Sequence, residues 1–145
     1  MTNSRRDGVI TYVGVAHPWM CDTMGHMNVR HYMAMFDDAS FQLLGRLTGV
    51  EKDRSLGWAD VRHEIEYRHE TPAGTLITIR SQVTRIGRTS VTYRHVMAGS
   101  LEGELHAEAT VTSVRFDLVA RKSLAVDADL RQRAERLLLD AGSSP

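Results

Sequence analysis

The chain holds one cysteine, Cys21, which excludes an intrachain disulfide and agrees with a reducing, cytoplasmic setting. It also lacks an excess of charge. Eighteen basic residues balance eighteen acidic ones, so no global field draws it to nucleic acid or to an anionic membrane, and an anionic ligand must be held by a local cluster. No apolar run is long enough to span a bilayer, and none of signal-peptide length follows Arg5-Arg6. Internal repeats and low-complexity tracts are missing too. What is present is an ordinary globular composition, 42% hydrophobic and 25% charged over 145 residues. That suffices for one domain spanning 1–145, with a core over about residues 8–140 and a solvated tail at Gly142-Ser143-Ser144-Pro145.

Val9 to Ala16 is rich in β-branched residues and reads as a strand. From Val29 to about Gly49, Tyr32, Phe36, Ala39, Leu43 and Leu47 recur at helical spacing, widened by Met33, Met35 and Leu44, which predicts a long, largely buried helix stopped by Gly49. Glu51 to Leu56 reads as a loop. Val61, His63, Ile65 and Tyr67 then alternate with charged residues as a half-buried strand does. Pro72-Ala73-Gly74 ends that strand. Ile77 to Thr84 and Val91 to Met97 form a predicted hairpin turning at Gly87. Leu105, Ala107, Ala109 and Val111 carry a last strand, in which Val114 and Phe116 take the opposite phase, as a bulge near Ser113 would produce. Asp127 caps a final helix with Leu130, Ala134, Leu137 and Leu138 on one face. A long apolar helix beside a run of strands predicts an α+β fold, an antiparallel sheet wrapped round the helix.

The stretch from Ala16 to Tyr32 concentrates chemistry. Its loop carries Asp22 and Gly25, and Asn28 sits where a helix N-cap belongs, so a carboxylate faces a helix N-terminus. First-turn amides can polarise a carbonyl, and the carboxylate can attack it or activate water. An isolated loop Asp is more often a turn former. Cys21, His26 and His31 do not have zinc spacing, so no metal is expected, and the bland reading of Cys21 is a small buried thiol.

Asp22-x-x-Gly25-His26-x-Asn28, followed by Tyr32 and Phe36, resembles the signature of the hotdog-fold acyl-CoA thioesterases, in their 4-hydroxybenzoyl-CoA thioesterase-like branch. The resemblance runs along nearly the whole chain. It implies a single hotdog domain with a curved five-stranded antiparallel sheet, the strand from Val61 to Arg68 lying at an edge and pairing with its copy in a second subunit. The working unit it implies is a homodimer with an active site between subunits; pairing of dimers into a tetramer stays open. Asp22 falls on the catalytic carboxylate, as nucleophile or as general base. Val29 offers its backbone amide to the thioester oxygen, Gly25 allows the turn, Asn28 caps or orients the helix, and His26 orients the loop or touches substrate. The second acid common two places before the catalytic one is absent, Met20 standing there.

Arg85-Ile86-Gly87-Arg88-Thr89-Ser90 is the best local anion site, and the resemblance places Arg88 and Ser90 on the CoA moiety, with Arg85 as an extension. No cofactor is implied. His63 and His95 read as satisfied core histidines, and Trp19 and Trp58 as pocket lining or core. For Asp37, Asp38 and Glu64 the structural reading is favoured over a reach into the pocket. The expected function is hydrolysis of a small or medium acyl-CoA to free acid and CoA. The alternatives are a non-catalytic acyl-CoA binding module of the same fold and a hotdog dehydratase, whose Asp/His arrangement is not legible here.

Overall fold

A computed structural model describes residues 8–138; the predicted tail and the last two residues of the expected core lie outside them. In chain order the elements are β1 (Val9–Val15), a 3₁₀ turn (Pro18–Met20), α1 (Val29–Thr48), β2 (Leu56–Tyr67), β3 (Leu76–Ile86), β4 (Ser90–Gly99), β5 (Leu105–Asp117), β6 (Lys122–Ser123) and α2 (Ala128–Arg136). The strands form one antiparallel sheet in the order β1-β3-β4-β5-β2, with two-residue β6 appended to β5. This is the hotdog arrangement, with α1 lying against the inner face of the sheet. The expected five strands are there, and β6 is a small addition. No helix among the described residues is long and apolar enough to cross a membrane.

The apolar stripe of α1 builds the core in two parts. Tyr32, Met35, Phe36 and Ala39 pack on Ile77, Ile79, Met97, Ala107 and Ala109. Leu43, Leu44 and Leu47 pack on Val83, Val91, Tyr93 and Val111, and Leu130 and Ala134 of α2 close that end. Met33, expected to widen the stripe, is exposed. Gly49 stops α1 at φ +67, its N–H reaching the Gly45 carbonyl at 2.8 Å, in the left-handed region that suits glycine. Leu138 is also exposed: α2 ends at Arg136, so the helical face no longer governs it.

Two strands depart from the sequence expectation. β2 begins at Leu56, inside the expected loop, and the register shifts between Asp60 and Arg62 opposite Ser113 and Thr112. The bulge is therefore at Val61, on β2 rather than β5, and it leaves Val61 62% exposed. Trp58 and Asp60 face inward before it, His63 and Ile65 after it. On β5 the alternation breaks only near its start, where His106 and Ala107 are both buried and the register with β4 shifts; from Ala107 it runs unbroken through Ala109, Val111, Ser113 and Arg115. The apolar pattern changes phase only because the inward face turns polar. Ser113 Oγ donates to Asp60 Oδ1 at 2.6 Å and lies 2.7 Å from the Tyr93 hydroxyl, while Arg115 pairs with Glu51 and stacks over Trp58.

His95 is the satisfied core histidine expected. Its Nδ1 lies 2.5 Å from Ser81 Oγ and its Nε2 2.9 Å from Ser40 Oγ, and its ring stacks on Phe36. His63 is only half-buried, with Nε2 3.2 Å from Asp60 and Nδ1 without a partner among the described residues. Burial, reinforced by the nearby His63, pushes the His95 pKa down from 6.5 to about 3, against the pull of Asp60. The native state therefore resists a proton that the unfolded chain accepts below pH 6.5. Stability from this group is intact above pH 6.5 and declines as pH falls toward 3, by up to about 1.4 kcal/mol per pH unit. Urea unfolding at pH 7 and pH 4.5 should show a smaller acid-induced loss in His95→Gln than in the wild type.

Candidate active site

The loop between the 3₁₀ turn and α1 is a short hairpin. Cys21 and Met27 bridge as antiparallel neighbours, the Asp22 N–H donates to the His26 carbonyl at 3.0 Å, and the Gly25 N–H donates back to the Asp22 carbonyl at 3.0 Å. Gly25 sits at φ +81 with open space around it, so conformation rather than crowding calls for glycine. Asp22 is half-buried, and its Oδ1 accepts from the Met24 N–H at 2.9 Å. One carboxylate oxygen thus fixes the side chain as an Asx turn and the other is left for chemistry.

This hairpin is stitched to the segment after β2. Met27 N–H donates to the Thr71 carbonyl at 2.8 Å, Ala73 N–H to the Gly25 carbonyl at 3.3 Å, and the Tyr32 hydroxyl meets Thr71 Oγ1 at 2.8 Å. Asn28 caps α1: its Oδ1 accepts from the Arg30 N–H at 3.2 Å and its carbonyl from the His31 N–H at 3.0 Å. The Val29 N–H, which opens the helix, has no acceptor among the described residues. Asp22, Gly25, His26, Asn28 and Val29 are therefore brought together as one local unit.

The predicted anion site is not part of that unit within one chain. Arg85, Arg88 and Ser90 surround the β3–β4 turn, where the Gly87 N–H donates to the Ser90 carbonyl at 2.8 Å and Arg131 of α2 donates to the Gly87 carbonyl at 2.8 Å. Arg85 and Arg88 are exposed. β3 leads from Leu76, beside the Asp22 hairpin, to Ile86 at this turn, roughly 33 Å at about 3.3 Å per residue. The two groups of residues sit at opposite ends of the sheet.

Other expected residues are dispersed. Asp37 borders a cavity of about 410 Å³ together with Ser40, Phe41, Leu44, Trp58 and Asp60, while Asp38 lies on the far side of α1 near Tyr12. Glu64 is exposed and pairs with Arg62 at 3.1 Å. Trp19 is exposed, stacked on His17 and edge-on to His31. Cys21 Sγ lies 3.6 Å from the His17 carbonyl, and among the described residues no three His, Cys, Asp or Glu side chains could hold a metal. Met20 packs against the core beneath the hairpin. Glu70, which nothing in the sequence singled out, stands 3.2 Å from His26 Nε2. The pairing of the hairpin with the segment after β2, Met27 with Thr71 and His26 with Pro72, brings it there.

Known proteins share this plan. The long-chain acyl-CoA thioesterase FadM of Escherichia coli strain K12 is 27% identical, over 81% of this chain and 90% of its own. A Staphylococcus aureus protein solved in complex with CoA superposes with a TM-score of 0.83 at 14% identity, covering 99% of this chain and 94% of that one. A 1,4-dihydroxy-2-naphthoyl-CoA thioesterase from Synechocystis gives 0.73 at 15%, covering 88% and 96%. At such identities the two structures speak for the fold alone. The family model of the thioesterase-like superfamily matches residues 16–134, from the residue after β1 to the last buried residue of α2, and the chain belongs to that superfamily.

Proposed function

We propose that this protein is a cytoplasmic acyl-CoA thioesterase, a reading carried by one observation: a carboxylate held in a tight hairpin beside a capped helix whose first amide has no acceptor among the described residues. The thioester oxygen accepts from the Val29 N–H, which stabilises the charge that develops on it. The free Asp22 oxygen then serves in one of two ways. As general base it takes a proton from water while the water oxygen bonds the acyl carbon; the C–S bond breaks and the proton passes to the thiolate. As nucleophile it bonds the acyl carbon itself, releasing thiolate and leaving a mixed anhydride that water hydrolyses. Either route yields free acid and CoA.

The CoA moiety fits the Arg88 and Ser90 turn, with Arg85 beside it, once a second copy is considered. β2 is an edge strand, bonded only to β5 among the described residues. Through β5 its Ala59 end lies level with Ser90, whereas its Tyr67 end leads to Thr71 and the Asp22 hairpin. A second β2 paired antiparallel at this edge sets the Arg88 turn of one copy beside the Asp22 hairpin of the other. Each site then needs both chains. Two crippled variants should accordingly rescue each other: in a dimer of Asp22→Asn with Arg88→Ala, one site lacks both residues and the other has both. Random reassembly of an equal mixture makes about a quarter of all sites intact, and turnover should rise well above that of either variant alone.

The functional reading is tested by free-thiol release from acetyl, short-chain, medium-chain, long-chain and benzoyl-type CoA esters. Turnover of at least one is expected. Tight binding of an ester without thiol release across the panel would instead identify a binding module.

A further inference from the structure

Arg131, on α2, reaches the β3–β4 turn that carries Arg88 and Ser90. Its guanidinium donates to the Gly87 carbonyl at 2.8 Å, the only acceptor its side chain meets among the described residues. A guanidinium is a planar fork of several N–H donors, so most of them are left unused. Arg85, Arg88 and Arg131 form no ion pair with a carboxylate among the described residues. The Ser90 hydroxyl lies at the same place: a side-chain carbon on Gly87 would come within 2.7 Å of Ser90 Oγ, and that hydroxyl has no partner among the described residues either. The turn itself is held still, the Arg88 carbonyl accepting from the Val126 N–H and the Thr89 carbonyl from the Arg115 N–H, each at 2.8 Å. Leu130 and Ala134 already seat α2 on the core, and one part-buried bond to a carbonyl adds little to that anchoring. Docking of the helix therefore does not account for a cation here.

Strand order makes β4, which Ser90 opens, nearer than β3 to the β2 edge where the second copy attaches. α2 stands on the other side, since the Val83 N–H of β3 donates to the carbonyl of Leu137, just past α2, at 2.8 Å. A CoA ester whose acyl carbon lies at the Asp22 hairpin of the second copy crosses the β2 edge, and so meets Ser90 before Arg131. Along CoA the pyrophosphate precedes the ribose, whose 3′-phosphate is the more remote from the thioester. We propose that Arg131 determines specificity for the 3′-phosphate of CoA, an inference that rests on the nucleotide placement given above. Arg131 and Arg88 hold that phosphate between their guanidinium groups, whose planar forks match its oxygens, while Ser90 faces the pyrophosphate.

The test is calorimetric binding of CoA and of dephospho-CoA, which differ only by that phosphate, at one fixed ionic strength. Wild type is expected to hold CoA about tenfold or more tightly than dephospho-CoA. Arg131→Gln keeps an amide N–H for the Gly87 carbonyl and loses the charge. In that variant the preference should fall to about twofold or less, through weaker CoA binding with dephospho-CoA unchanged, and the thermal midpoint should stay close to wild type. Should the glutamine variant unfold, Arg131→Lys keeps the charge without the fork and is expected to show an intermediate preference. A purely structural clamp would weaken both ligands alike or neither. An unchanged ratio in either variant, or a wild type without preference, overturns the inference while thioester hydrolysis stands. A wild type that binds neither CoA nor dephospho-CoA overturns it as well, and if thiol release is also absent the functional reading falls with it.

Discussion

Replacing Asp22 by Asn is expected to remove about 10³-fold or more of kcat while leaving the fold intact. Asn has the same shape, and its Oδ1 can still accept from the Met24 N–H, so the Asx turn that fixes the side chain survives. The hairpin bonds around it are backbone bonds that the substitution does not touch. What disappears is charge and basicity. An amide neither attacks a thioester at a useful rate nor takes a proton from water, and positioned acid–base or nucleophilic groups contribute factors of this order. The KM for the CoA ester should change little, because the proposed nucleotide site, at the Arg88 turn, is separate from Asp22. Thiol release, thermal unfolding and calorimetric binding of a CoA ester should therefore separate: the first collapses, the other two stay near wild type. Wild-type turnover in Asp22→Asn would end the assignment.

The proposed site was legible in the sequence to the extent that it is local. Asp22, Gly25, His26, Asn28 and Val29 lie within eight consecutive positions, and turn and capping preferences act over that range. The helix and most strands were legible for a similar reason, since burial on one face imposes a period of 3.6 or 2 on α1 and β3 to β5. Several of the failures arise because the compensating partner is distant in the chain. Ser113 and Arg115 break the apolar pattern of β5 because Asp60, Tyr93 and Glu51 satisfy them, so a continuous strand looked bulged. The real bulge at Val61 hid the start of β2, because an inserted residue flips the phase that sequence pattern depends on. The contact of Glu70 with His26 was invisible because only the folded chain brings the two near. The distance between the Asp22 hairpin and the Arg88 turn was invisible too, for it depends on strand order and not on either motif.

Val29→Pro tests the other half of the proposed chemistry, and the fold makes it an unusually clean deletion. A backbone N–H cannot be removed by changing a side chain, except with proline, which would break most helices. Val29, however, is the first residue of α1, the one helical position where proline is favoured because its amide has no intrahelical acceptor. Proline also restricts the residue before it to extended backbone, and Asn28 already lies there at φ −72 and ψ 147. The Asn28 cap and its bond from the Arg30 N–H remain available. The Val29 side chain is exposed, so little packing is lost. Stability should therefore hold within about 1 kcal/mol, while kcat falls about 10²–10³-fold, as when one oxyanion donor is removed. Val29→Ala keeps the amide and should retain nearly full turnover. A Val29→Pro protein that folds and turns over like Val29→Ala would mean that the thioester oxygen is stabilised elsewhere; loss in the proline variant alone assigns that task to the helix terminus.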